Sequence, residues 1–267
     1  RGLGDVYKRQ VRNNGKNAPG KDHEAMEYFV DISRETEYEE MGGHVPVGHT
    51  RAYVKIQDGC NQFCSYCIIP YVRGRIRSRS QEAILAEVSE LAEAGIKEVV
   101  LTGIHISSYG KDKNNEGALI ELIEAISKIK GIKRIRLGSL EPGIITEEFV
   151  ERISSNSKVC PHFHLSLQSG CDSVLKRMNR KYTCEQYFEK CDMLRKAYKS
   201  PALTTDVIVG FPGETEEEFA ETVRYLTELN LYEMHIFKYS PRRGTVAAAM
   251  KEQVAPEIKN ERSDVLL

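Results

Sequence analysis

The sequence predicts an α/β fold, a partial (β/α)6 barrel with an open mouth. Short apolar runs of strand character alternate with amphipathic helical stretches, and strands joined by helical crossovers build parallel sheets. The unit recurs about six times between Thr50 and Lys238, too few to close an eight-stranded barrel. The loops that follow the strands carry the glycines, the polar residues and a cluster of cysteines, and α/β barrels place their sites at that end.

Thr50 to Asp58 alternates, with Ala52, Val54 and Ile56 on one face and Arg51, Tyr53, Lys55 and Gln57 on the other, the pattern of a strand. Ser80 caps a helix whose apolar face is Ile84, Leu85, Val88, Leu91 and Ala92, and Gly95 ends it. Glu98–Thr102 is a short buried strand followed by the loop Thr102-Gly103-Ile104-His105, and Leu119–Ile129 is the next helix. Arg134–Gly138 is a strand that runs into Ser139-Leu140-Glu141-Pro142, after which Thr146 caps a helix. His162–Ser166 is a strand that leads to Leu167-Gln168-Ser169-Gly170. Thr183 with Gln186, and Thr215 with Glu218, are capping boxes that open two further helices. Leu203–Val209 and Met234–Lys238 are the last strands, and Met250–Leu267 is a charged helical tail.

Composition narrows the class. A chain of 267 residues suits one large domain with appendages, and a net charge of -1 confines any nucleic-acid surface to a local patch. Seven cysteines, three of them clustered, do not form the disulfide framework of a secreted protein, so a reducing cytoplasm is expected. No apolar run is long enough to span a bilayer, and no membrane association is expected.

The chemistry concentrates in Asp58-Gly59-Cys60-Asn61-Gln62-Phe63-Cys64-Ser65-Tyr66-Cys67, where Cys60, Cys64 and Cys67 stand at C-x3-C-x2-C. Thiolates are soft anionic ligands for iron–sulfur clusters or zinc. Three thiolates fall one short of closing a four-iron cube, and an open coordination position is what a reactive metal site needs. The residues that follow place Arg73, Arg75, Arg77 and Arg79 at every second position. In an extended chain such residues share a face. Two readings stand for this row, a contact to RNA phosphates and a solvated strand edge. His44 and His49 flank the first strand and are the nearby candidates for a fourth metal ligand.

The cysteine loop, with Tyr66 before its last cysteine, resembles the cluster loop of the radical S-adenosylmethionine (SAM) enzymes. Through Gly59–Tyr71 it resembles the signature of the methylthiotransferases within that group. Thr102-Gly103-Ile104-His105-Ile106-Ser107-Ser108-Tyr109-Gly110 resembles the branch acting on N6-threonylcarbamoyladenosine beside the tRNA anticodon. The branch acting on isopentenyladenosine has a Gly-Gln-Asn-Val-like stretch there.

The resemblance implies a transferase whose Cys60, Cys64 and Cys67 hold a 4Fe-4S cluster and whose open iron chelates SAM. One electron would cleave SAM to methionine and a 5′-deoxyadenosyl radical. Thr102 and Gly103 match a SAM contact, although many radical SAM enzymes have Gly-Gly-Glu there. Ser139 and Glu141 would accept from ribose hydroxyls, and Tyr66 and Gln168 would flank the cofactor. Arg180 would pair with the SAM carboxylate, and Val209 and Gly210 would back the adenine. On the residues alone, Glu141 also reads as a turn residue, Arg180 as a surface charge, and Gly210 and Gly213 as turn formers.

The resemblance further implies a methylthio group added to the adenine ring at tRNA position 37, tRNA as partner, a flavodoxin-type electron donor and a monomer. Alternatives are isopentenyladenosine tRNA or a ribosomal protein as substrate and, from another class, a zinc-stabilised RNA-binding module. Residues 1–10 resemble a translated adapter and read as non-native, and 11–48 as a linker or remnant of an N-terminal domain. The catalytic domain is expected over 49–248, and 249–267 should lead to a C-terminal RNA-binding barrel. The family's N-terminal domain carries a second 4Fe-4S cluster on three further cysteines, and no cysteine precedes Cys60. Cys160, Cys171, Cys184 and Cys191 are scattered and read as core residues.

Overall fold

The computed structural model describes residues 31–40, 46 and 48–267. Residues 1–10, most of the expected linker and His44 lie outside the described residues.

In chain order the elements are β1 (Arg51–Asp58), α1 (Ile69–Val72), β2 (Arg77–Ser78), α2 (Gln81–Glu93), β3 (Glu98–Gly103), α3 (Ala118–Ser127), β4 (Arg134–Leu137) and α4 (Glu147–Ser154). There follow β5 (His162–His164), α5 (Asp172–Arg177), α6 (Cys184–Ala197), β6 (Ala202–Val209), α7 (Glu216–Leu229), β7 (Glu233–Lys238) and α8 (Pro256–Leu266). β1, β3 and β4 pair in parallel, as do β5, β6 and β7. Parallel bridges Ile135–Val159 and Leu140–Leu165 join the two sets into one curled sheet. The expected partial barrel is therefore what the described residues build, six parallel strands among them with a short antiparallel edge, β2, on β1.

Local signals explain the helices. Ser80 Oγ accepts from Ala83 N and Thr146 Oγ1 from Phe149 N, so both N-caps are filled as the residue types demand. Both capping boxes form in full, at Thr183 with Gln186 and at Thr215 with Glu218. The helices lay apolar stripes on the outer face of the sheet, and one core runs from Ala52 through Ile123 and Leu165 to Leu229. Fully buried aliphatics such as Val54, Ile56 and Leu101 each contribute roughly 1.5–3 kcal/mol.

Two expectations in this region are corrected. Gln57 does not share the exposed face of Arg51 and Tyr53 but is fully buried, because its amide is consumed in holding the loop that follows. The arginines from Arg73 to Arg79 do not form a row. Arg73 ends α1 in helical conformation and pairs with Asp58, and the chain turns at Gly74. Arg77 and Arg79 are buried, the latter between Glu40 and Glu87, and only Arg75 and Arg73 remain exposed. The chain is helical at Arg73 and turns at Gly74 before it becomes extended at Arg77–Ser78, so the period-two argument does not hold across the four.

The tail is anchored as well as helical. Arg262 on α8 is buried and bonds Glu214 Oε2 at 2.7 Å and Glu216 Oε1 at 2.6 Å. Among the described residues no helix is long and apolar enough to cross a membrane.

Candidate active site

The cysteine loop leaves the C-terminal end of β1 under tight control. Gln57 Nε2 donates to the carbonyls of Asp58 (2.6 Å) and Gly59 (2.7 Å), while its Oε1 accepts from His105 N at 2.7 Å. One buried amide thus ties the loop to the turn after β3. Gly59 has φ 72°, and a Cβ there would collide with the carbonyl of Arg75, so only glycine fits. Asp58 Oδ1 caps Gly59 N at 2.7 Å, and its carboxylate is ringed by Lys55, Arg73 and Arg77.

The far side of the loop is sewn to the segment after β5. Ser65 N donates to Met178 O at 3.0 Å and Ser65 Oγ to Arg177 O at 2.8 Å. Asn179 Nδ2 donates to Phe63 O at 2.9 Å, and Ala247 N to Ser65 O at 2.8 Å. A small apolar cluster of Cys171, Val174, Met178, Phe211, Tyr239 and Ala247 sits beneath, with Tyr66 packed against it.

These constraints bring Cys60, Cys64 and Cys67 to one cavity of about 160 Å³. Tyr66, Ser139, Glu141, Gln168 and Arg180, five of the residues that the resemblance names as cofactor contacts, line it with them. Gln62, Ile69, Ile104, His105, Leu140 and Ser166 also line it and were not singled out. Glu141 is the polar hub. It accepts from Gln62 Nε2 at 2.8 Å, lies 3.2 Å from His105 Nε2, and has Arg180 Nη2 at 3.8 Å. Arg180 donates to Cys64 Sγ (3.2 Å), Ser166 O (3.3 Å) and Tyr182 Oη (2.8 Å), one bond from each nitrogen, which fixes its planar fork and leaves two N–H donors over.

Burial pushes the Cys60 thiol up to about 11 and raises Cys67 as well. It also drives the Tyr66 phenol well above its ordinary value. For Glu141 burial pulls upward, but the hydrogen bond and charge of His105, with Arg180, outweigh it and hold the carboxyl below its usual range. The cavity therefore holds a carboxylate and a guanidinium beside sulfur ligands.

Four expected cofactor contacts are not among the residues lining this cavity. Thr102 Oγ1 donates to Val54 O at 3.3 Å, a bond within the sheet. Gly103 is where a Cβ would press on Gln57. Val209 is buried in the main core, and Gly210 N is held by Glu214 Oε2 at 2.6 Å. His49 is exposed and does not line the cavity either. A larger cleft of about 240 Å³, lined by Lys111, Ile120 and Phe149 among others, contains no cysteine.

Comparison with known proteins decides the family. The family model of the Radical SAM superfamily matches residues 54–226. The chain belongs to the radical SAM superfamily. Among solved structures, this radical SAM chain is similar to coproporphyrinogen III oxidase (HemN) from Escherichia coli, with a TM-score of 0.58 and 19% identity over 80% of this chain and 50% of that one. It is also similar to the methyltransferase TsrM from Kitasatospora setae, with a TM-score of 0.61 and 18% identity over 73% and 38% of the two chains. These likenesses show the fold.

Curated relatives are closer in sequence. The chain is 46% identical over 232 residues to "Threonylcarbamoyladenosine tRNA methylthiotransferase MtaB" of Bacillus subtilis (strain 168), covering 87% of this chain and 51% of that protein. It is also 46% identical over 246 residues to "tRNA-2-methylthio-N(6)-dimethylallyladenosine synthase" of Thermoanaerobacter pseudethanolicus, covering 91% and 52%. The radical SAM chain thus spans about half the length of these relatives.

The cofactors of a radical SAM protein are a 4Fe-4S cluster and SAM, and the residues present fit both. Three sulfurs face one cavity, and two of them already receive donors suited to anionic sulfur, Gln62 N on Cys60 Sγ at 3.4 Å and Arg180 on Cys64. Buried thiols with raised pKa become thiolates when a cation binds them. No fourth cysteine lines the cavity among the described residues, which suits an open iron. Glu141 and Arg180 offer one charge of each sign to a zwitterionic cofactor.

Proposed function

We propose that this chain is the catalytic portion of a radical SAM methylthiotransferase that modifies tRNA, adding a methylthio group to the adenine ring of N6-threonylcarbamoyladenosine at position 37. The observation that carries the reading is the convergence of Cys60, Cys64 and Cys67 with Glu141 and Arg180 on one cavity. The relatives named as tRNA methylthiotransferases support the transferase class. Equal identity to proteins of both tRNA branches does not separate the substrates. The threonylcarbamoyl reading rests on the Thr102–Gly110 stretch, whose His105 lines the cavity against Glu141.

Cys60, Cys64 and Cys67 would hold the cluster, and Glu141, Ser139 and Arg180 would orient SAM by its hydroxyl and carboxylate groups. When bound, cluster and SAM together supply a 5′-deoxyadenosyl radical able to take hydrogen from an unactivated C–H bond. The protein's part is orientation and exclusion of water. Tyr66, Ile69, Ile104 and Leu140 wall the cavity. Thr102, Gly103, Val209 and Gly210 act by shaping the strand ends rather than by lining this cavity. tRNA is the partner, a flavodoxin-type protein the electron donor, the cytoplasm the compartment, and the working unit a monomer.

Thiomethylation needs a sulfur source as well as a radical. The reading places that source on a second cluster in a domain upstream of Val11. The reconstituted, reduced chain should cleave SAM slowly to 5′-deoxyadenosine and leave threonylcarbamoyl tRNA unmodified, and adding the upstream domain should restore the methylthio nucleoside in mass spectra of digested tRNA. Repeated turnover by this chain alone would overturn the second-cluster argument. Modification of isopentenyladenosine tRNA only would overturn the substrate.

A further inference from the structure

The concave face of the sheet carries a second cluster of ligand-type side chains that the chemistry above does not use. His164 on β5, Asp206 on β6 and His235 on β7 come from three adjacent strands, in registers His164–Thr204 and Asp206–His235. His164 stands two residues before the cavity-lining Ser166, so it points to the same face one step further down. The two imidazoles flank the carboxylate. His164 Nε2 is 3.2 Å from Asp206 Oδ2, and His235 Nδ1 is 3.1 Å from Asp206 Oδ1. One ligand atom from each residue lies within 4.8 Å of the others.

We propose that His164, Asp206 and His235 form a second metal site, for a divalent transition ion of the zinc, iron(II) or cobalt(II) class. Two imidazoles and one carboxylate are the ligand set those ions prefer over magnesium or calcium. The outer contacts are those of a built site. His164 Nδ1 is held by the buried hydroxyl of Thr204 at 3.0 Å, which fixes the ring and aims Nε2 at Asp206. His164 is only 9% exposed, and its Nε2 makes no aligned hydrogen bond despite the nearby carboxylate. A buried ring nitrogen left so is unfavourable. A cation between Nε2 and Asp206 satisfies both. On His235 the second ring nitrogen lies 4.0 Å from Glu233 Oε1, beyond hydrogen-bond distance.

Three protein ligands leave coordination positions open. Those positions face the concave side, next to the cavity of the three cysteines, where an oxygen donor of a bound substrate would meet the ion. The site does not depend on which substrate the enzyme takes.

The test is cobalt(II) binding by the whole chain, with the cluster cysteines removed as competing ligands in a Cys60→Ala/Cys64→Ala/Cys67→Ala variant. About one cobalt per chain should survive desalting, with visible absorption of a nitrogen–oxygen site and no thiolate charge-transfer band. Adding Asp206→Asn, which keeps the shape of the side chain, should abolish it. Thr204→Val should weaken binding about tenfold to a hundredfold. The half-exposed His235→Ala gives the same readout should Asp206→Asn fail to fold, which circular dichroism reports. No retained cobalt in the cysteine-free chain, or undiminished cobalt in Asp206→Asn or folded His235→Ala, would mean a metal-free His–Asp–His hydrogen-bond array and overturn the proposal.

Discussion

Arg180 donates from Nη1 to the sulfur of Cys64 across 3.2 Å, joining the turn after α5 to the middle cysteine of the cluster loop. The same guanidinium stacks 4.9 Å from the Tyr182 ring and reaches Ser166 O and Glu141. A residue that resembles a SAM-carboxylate ligand is therefore also a donor to the sulfur of a proposed cluster ligand. Hydrogen bonds to cluster sulfurs raise the reduction potential, because they stabilise the more negative reduced state.

Arg180→Lys keeps the charge and loses the fork. Its cluster should have a more negative midpoint potential in an EPR-monitored redox titration. SAM binding should weaken about tenfold or more, the effect of losing one charge-assisted hydrogen bond. An unchanged potential with an intact cluster would show that the contact to Cys64 has no electronic consequence.

Anaerobic reconstitution should give about one four-iron cluster per chain. Replacing Cys60, Cys64 or Cys67 by Ala should abolish it, whereas Cys160→Ala should not, since Cys160 is buried and absent from the cavity. Iron and sulfide analysis with the visible spectrum reads the outcome, and a full cluster in Cys64→Ala would remove that residue from the ligand set.

Asp58 sets the acid sensitivity of the loop. Burial pushes its carboxyl up, but hydrogen bonds from Arg73, Lys55 and Gly59 N outweigh this and lower it to about 2. A folded pKa below the unfolded value of 3.8 contributes stability that is complete above about pH 4 and lost as pH falls through about 2. Asp58→Asn should cost about 2 kcal/mol at neutral pH and remove that acid-dependent component from urea-melt profiles.

The arginines should divide by burial. Arg79→Ala leaves Glu87, itself mostly buried, without its partner and should destabilise by about 3 kcal/mol. Arg75 is exposed and lies 4.6 Å from the Phe63 ring, and Arg75→Ala should shift stability by less than about 0.5 kcal/mol. If Arg75 meets phosphate, its removal should lower the salt slope of tRNA binding by about one. A full slope in Arg75→Ala would return it to the solvated surface.

Much of this protein was legible in the order of its residues. Ser80, Thr146, Thr183 and Thr215 marked helix starts because capping is a contact between residues three apart, and such contacts travel with the sequence. The parallel sheet followed from strands separated by helices. Cys60, Cys64 and Cys67 were legible as one group by spacing, since a short loop already brings three sulfurs to one cavity.

Tertiary structure decided what depended on distant neighbours. Alternation grouped Gln57 with Arg51, Tyr53 and Lys55, but Gln57 is buried because its amide joins the loops after β1 and β3. Gln62, His105 and Ser166 meet in the cavity with Glu141 and Arg180, which arrive from loops far along the chain. Arg77 and Arg79 turned inward because Asp58, Glu40 and Glu87 waited there, whereas spacing alone left four equivalent cations. His164, Asp206 and His235 are separated by about seventy residues, and only the parallel register of three strands makes them neighbours. Local periodicity carries caps, strands and the cysteine loop, because those are short-range interactions. Partnership between charges is long-range, and the fold alone supplies it.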